Sequence, residues 1–167
     1  MTGITAYGAY LPRLRLSRKS VVEANSWVAP ELRSHGKGER AMCNWDEDTI
    51  TMAVEAARDC LSDRDRAKLA AVHLASTTMP FADRQNAGIV SAALALGEHL
   101  ATMDVTSSQR AGTTGLLAAL SLAGNAGGEI LFVASDSRRT RSGAVQECNM
   151  AMVPRHLRLV ASSRLPA

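Results

Sequence analysis

Aromatic residues make up only 4% of this 167-residue chain. A surface built on stacking rings, as single-stranded nucleic-acid binders use, has little to draw on. The three cysteines, Cys43, Cys60 and Cys148, form no Cys-x-x-Cys pair and no metal-ligand spacing with His35, His73, His99 or His156, so neither a zinc site nor a disulfide framework is expected. No apolar run approaches the roughly 18 residues that a membrane span requires. The first ten residues, MTGITAYGAY, lack the basic-then-apolar order of an export signal. A cytoplasmic chain without membrane attachment is therefore expected.

The last twenty residues contain no Asp or Glu. Every acid lies at or before Glu147, residues 1–147 carry no net charge, and the formal +3 comes from Arg155, Arg158 and Arg164. The body of the chain has no charge imbalance to form a basic face, so nucleic acid is not an expected partner.

What is present is small and apolar: 46% of residues are hydrophobic and 21% charged, enough to bury a core in one domain. Residues 3–9, GITAYGA, read as a first strand, and Ser17 as the cap of a helix over RKSVVEAN with Val21, Val22 and Ala24 on its apolar side. From Trp27 to Trp45 the chain turns polar and is expected to make a long excursion. Asp46, Asp48 and Thr49 then open the helix TITMAVEAARDCL, whose Ile50, Ala53, Val54, Ala57, Cys60 and Leu61 share one face. Residues 70–76 read as a buried strand, 85–96 as a helix with Ile89, Ala92, Ala93 and Leu96 inward and Gly97 as its stop. Residues 103–106 read as a strand, followed at once by SSQRAG and a helix bearing Leu116, Leu117, Leu120 and Leu122. Residues 129–136, EILFVASD, are the clearest buried strand. Alternating strands and helices on short links predict an α/β fold, a mostly parallel central sheet between helices.

The run from WDEDTITMAVEAA through LASTT and MDVTSSQRAGTTG to ILFVASDSR resembles the N-terminal half of thiolase-superfamily condensing enzymes. It is most similar to 3-hydroxy-3-methylglutaryl-CoA synthases and, more distantly, to ketoacyl-ACP synthase III. The resemblance implies the first half of a thiolase-like fold over residues 1–147, an acyltransferase ancestry, and a coenzyme A thioester as substrate with no covalently bound cofactor and no metal. It also implies, for full-length relatives, a homodimer or a partner such as a thiolase or a small zinc-ribbon/OB-type acyl-CoA-binding protein.

In those enzymes a cysteine at a helix N-terminus is acylated by the thioester, and the helix end stabilises first the thiolate and then the oxyanion. The family motif laid on DVTSSQRAGTTG puts that cysteine at Gln109. The glutamate that acts as general base after the second strand falls at Thr77 in LASTT. Both reacting side chains are absent, and the expectation is a chain without cysteine-based catalysis. Gln109 has two readings: a polar elbow residue bonded to nearby backbone, or a carboxamide donor aimed at an acyl carbonyl, as in superfamily members that carry glutamine there and only decarboxylate a malonyl unit.

Arg33, Lys37 and Arg40 lie in the excursion, where a neighbouring family loop lines the CoA tunnel; the resemblance makes them candidates for the CoA phosphates, beside the plainer reading of a solvated charged loop. Cys60 is read as a small core residue, Cys43 as a loop residue, and His73 as a satisfied residue of the buried strand.

Family members follow the ILFVASD strand with Gly-Asp-Gly-Ala-Ala-Ala. Here the chain continues CNMAMVPRHLRLVASSRLPA. Back-translating Cys148 to Leu157 as TGC AAT ATG GCG ATG GTG CCG CGG CAC TTG and restoring one T in front gives Leu-Gln-Tyr-Gly-Asp-Gly-Ala-Ala-Ala-Leu. Residues 148–167 are therefore expected to be an out-of-frame tail of a truncated chain.

Overall fold

The computed structural model describes residues 2–149. In chain order these form β1 (Leu14–Ser17), α1 (Arg18–Asn25), β2 (Glu39–Met42), α2 (Thr49–Cys60), β3 (Leu69–Ala75), α3 (Asn86–Ala93), β4 (Ala101–Val105), α4 (Ala111–Ala123), β5 (Glu129–Ala134) and α5 (Val145–Asn149), with 3-10 turns at Pro30–His35 and Arg66–Lys68. Residues 2–10 with 49–135 gather into one unit; 11–48 with 136–149 gather into another. Most of the expected out-of-frame tail, residues 150–167, lies outside the described residues.

The first unit is built on a parallel sheet in the order β4-β3-β5. β3 and β5 are apolar on both faces because helices cover both sides, as a parallel sheet requires. On one face Val72, Leu74, Leu131 and Val133 pack with Ile50, Ala53, Val54, Ala57, Cys60 and Leu61 of α2 and its end, and with Val90 of α3. All six residues of the expected α2 face are buried. On the other face Ala71, Ala75, Ile130 and Phe132 meet Ala111, Ala119 and Ala123 of α4.

Two expectations are corrected. Residues 3–9 form no strand; apart from an isolated bridge at Thr2 the run is irregular. It lies instead against α2, so close that a Cβ on Gly8 would stand 2.4 Å from the backbone nitrogen of Cys60. Side chains take up its backbone groups: Ala9 N–H donates to Asp59 Oδ2 at 2.8 Å and the Thr5 carbonyl accepts from Arg64 at 3.4 Å. The helix expected over 85–96 spans only Asn86–Ala93, with Asn86, Ala87, Val90 and Ser91 inward and Ala92 and Ala93 exposed. Ala95, at φ 51°, adopts the left-handed turn expected of Gly97, and Arg66 bonds the freed Leu94 carbonyl at 2.7 Å. On α4 the sheet-facing residues are Ala111, Gly115, Ala119 and Ala123, whereas Leu117 and Leu122 are exposed.

In the second unit the excursion is more ordered than its composition suggests. β2 pairs antiparallel with β1, and the Pro30–His35 turn drives Leu32 into a cluster with Val21, Ala29 and Cys148. Both tryptophans stay exposed.

His73 is buried as expected, but it is not satisfied. It lies in register with Met103 and Phe132 on the sheet face that α4 covers, and its Nδ1 has no hydrogen-bond partner. Burial lowers its pKa below the ordinary imidazole value of 6.5. A depressed histidine binds fewer protons in the folded than in the unfolded chain, so stability is full above pH 6.5 and falls below it. The expected loss is at most about 1.4 kcal/mol per pH unit, ending at the folded-state pKa. Urea unfolding between pH 5 and 8 checks this, and His73→Leu should reduce that acid slope.

Candidate active site

The carboxyl ends of the parallel strands are where open α/β sheets bind ligands, and here they bring the predicted reacting positions to one edge. β3 ends at Ala75 in register with Val105 at the end of β4. Ser76 N–H donates to the Val105 carbonyl at 3.0 Å, tying the two exits together. Ser76 Oγ accepts from Thr78 N–H at 2.9 Å, and Thr49 Oγ1 donates to the Thr78 carbonyl at 2.9 Å. These bonds fix the turn that carries Thr77, which is half-buried. A threonine hydroxyl there cannot take a proton as a carboxylate would.

The neighbouring exit is the elbow. Ser107 holds φ 67°, a left-handed conformation uncommon outside glycine and asparagine, and it turns the chain from strand to helix within a few residues. Ser108 Oγ accepts from Arg110 N–H at 3.1 Å and the Ser108 carbonyl from Ala111 N–H at 2.9 Å. α4 begins at Ala111 with no side-chain cap. The N–H groups of its first turn therefore give the site a positive end.

Gln109 stands exposed at this mouth. An amide is no nucleophile, but its NH2 group is a donor. At the third exit, Ser135 N–H donates to the Ala75 carbonyl at 3.1 Å, and its buried Oγ has no partner. Ser135 was not singled out from sequence; the available signal was its place directly after the most apolar strand.

The remaining candidates belong to the second unit. Arg33, in the 3-10 turn, and Lys37 are exposed, as a solvated charged loop would be. Arg40 is not: it lies on β2 at 5% exposure. Cys43 is half-buried with Sγ 3.7 Å from Ser137 Oγ, and burial raises its thiol above the ordinary value. Burial raises Cys60 and Cys148 as well. None is held as the thiolate that acyl transfer needs. Among the described residues no helix is long and apolar enough to cross a membrane.

No protein-family model matches the chain. Among curated proteins, the hydroxymethylglutaryl-CoA synthase of Aeropyrum pernix is 31% identical over 148 residues, covering 87% of this chain and 41% of that one. Among solved structures, MvaS in complex with 3-hydroxy-3-methylglutaryl coenzyme A superposes with a TM-score of 0.82 at 23% identity, over 97% of this chain and 40% of that one. A 3-oxoacyl-(acyl-carrier-protein) synthase III gives a TM-score of 0.77 at 16% identity, over 99% and 51%. The chain thus spans about two fifths of the length of the synthases it matches. It shares the α/β fold of these solved structures and is similar in sequence to the N-terminal part of hydroxymethylglutaryl-CoA synthases.

Proposed function

We propose that this chain is the first half of an acyl-CoA-handling, synthase-like protein that has lost cysteine-based condensation. One observation carries the reading: the strand-to-helix elbow is in place, and the residue at its mouth is Gln109. In that position a carboxamide N–H and the first turn of α4 would donate to the carbonyl oxygen of a bound thioester, polarising it without a covalent step. Thr77 would line the same edge without acting as a base. Residues 148–167 are read as out of frame, so no residue of this tail is assigned a part in the chemistry.

The second reading is a non-catalytic acyl-CoA-binding or scaffold subunit. It is favoured by two separately exposed leucines of α4, Leu117 at 60% and Leu122 at 50%, apolar side chains that another polypeptide would cover.

Incubation with acetyl-CoA labelled in the acetyl group, followed by denaturing gel and scintillation counting, tests the first claim. No covalent label is expected on the chain. Label that survives Gln109→Ala and vanishes with Cys43→Ala would overturn the assignment of the elbow.

A further inference from the structure

His73 occupies the middle of the layer between the sheet and α4. Residues 71, 73 and 75 of β3 point to one face, and Ala71 and Ala75 belong to the cluster that α4 covers. His73 lies across from Met103 of β4 and Phe132 of β5, is 4% exposed, and leaves its Nδ1 without a hydrogen-bond partner.

No charge faces this ring from the elements around it. α4, AGTTGLLAALSLA, has no titratable side chain, and Arg110 just before it is exposed. On β4 the Asp104 carboxylate is turned to α3, bonded to Asn86 and Ala87. On β5 Glu129 sits at the start of the strand, paired with Arg64 at 2.6 Å. No other residue of β3 titrates. An imidazolium formed here meets no carboxylate and is withdrawn from solvent, so the neutral ring is the form that this layer tolerates.

The two sides of the sheet are held unequally. Ile50, Val54 and Leu61 of α2 and its end, with Val90 and Leu94 of α3 and its end, press onto one face. α4 meets the other through Ala111, Gly115, Ala119 and Ala123, with Leu116 and Leu120 half-buried beside them. Side chains of one carbon or none withdraw little apolar area from water, so α4 is the more weakly held helix. Both of its ends can yield. Ser107 on the elbow side holds a left-handed φ of 67° that lifting would relax, and Gly124, Gly127 and Gly128 follow the last turn.

We propose that His73 is an acid-operated release for α4: once its ring takes up a proton, the helix lifts from the sheet and carries the elbow with it, while β3, β5 and α2 stay folded. The device dismantles the candidate site whatever ligand the elbow holds, so it does not depend on the function proposed above.

Its pH direction is fixed by burial. With α4 lifted the ring titrates near the ordinary 6.5; with α4 seated, burial holds it lower. The lifted population is constant above pH 6.5 and grows on acidification, by up to about tenfold per pH unit until the seated-state pKa is reached.

Hydrogen exchange of the full chain, read amide by amide between pH 7 and 5, tests this. Protection factors, which remove the intrinsic pH dependence of exchange, should fall for residues 115–123 by up to about tenfold per unit below pH 6.5. Those of residues 53–60 in α2 and 130–133 in β5 should hold. His73→Gln and His73→Leu, which cannot take the proton, should make the protection of α4 independent of pH, whereas His99→Gln should leave the fall in place. Loss of protection in α2, β5 and α4 together, no fall in the unaltered chain, a fall that survives in both His73 variants, or one abolished by His99→Gln overturns the proposal. The comparison of α4 with α2 and β5 in the unaltered chain decides it even where neither His73 variant folds.

Discussion

Asp104→Ala is expected to destabilise the chain by about 3 kcal/mol, because one carboxylate there makes several charge-assisted bonds at once. Its Oδ1 accepts from Ala87 N–H at 2.7 Å, and its Oδ2 from Asn86 N–H at 2.7 Å and from Asn86 Nδ2 at 3.0 Å. These are the orphan donors of the first turn of α3, and Gln85 at the N-cap supplies no side-chain bond. A strand residue thus caps a helix from outside, where negative charge also suits the helix dipole.

The loss should spread toward the site. Asn86, once oriented by Asp104, donates to the Phe81 carbonyl at 2.9 Å and accepts from Phe81 N–H at 3.2 Å. It therefore holds the loop that leaves Thr77 and Thr78. Asp104→Asn keeps the shape and one acceptor, and should recover about half of the loss. Thermal melts with hydrogen exchange at the amides of residues 81, 86 and 87 check this. Fast exchange confined to these amides would show the cap failing before the sheet does.

Why some elements were legible and others were not follows from where their constraints come from. β3, β5 and α2 carry their signal in their own side chains: continuous apolar runs for strands buried on both faces, and a face at helical spacing that is buried throughout. α3 was misread because its rotation is set by Asp104, eighteen positions away from Asn86 in the chain. Residues 3–9 look like a strand in composition, but Gly8 serves close approach to α2 instead of a ladder.

The candidate site divides the same way. That residues 107–110 form an elbow was legible from a strand running directly into a helix. The assignment of Gln109 and Thr77 to the family's reacting positions is a proposal that rests on the resemblance alone, since neither spacing nor composition marks them. Arg40 sits in a charged stretch between two exposed tryptophans, so its burial has no local signature, and it depends on pairing between β1 and β2.

Gly115→Val is expected to cost about 3 kcal/mol, at the upper end for overpacking, because the added atoms have no space to relax into. α4 rests on the sheet through small residues, and a Cβ at Gly115 would lie 2.6 Å from Phe132 Cε2, 3.3 Å from Phe132 Cζ and 3.4 Å from Val105 Cγ2. Phe132, on β5, is itself buried between the sheet and α4 at 2% exposure, so its ring cannot swing clear without displacing its neighbours. Three turns of helix would have to lift off the sheet, taking with them the N-terminus on which the elbow is mounted. Gly112 is the control. A Cβ there would meet only Ala134 Cβ at 3.8 Å, and Gly112→Ala should stabilise by about 0.5–1 kcal/mol through helix propensity. Phe132→Leu, destabilising alone, should restore part of the loss in Gly115→Val. An additive double mutant in chemical denaturation would mean that the ring is not the obstacle, and that the close approach of α4 to the sheet is held elsewhere.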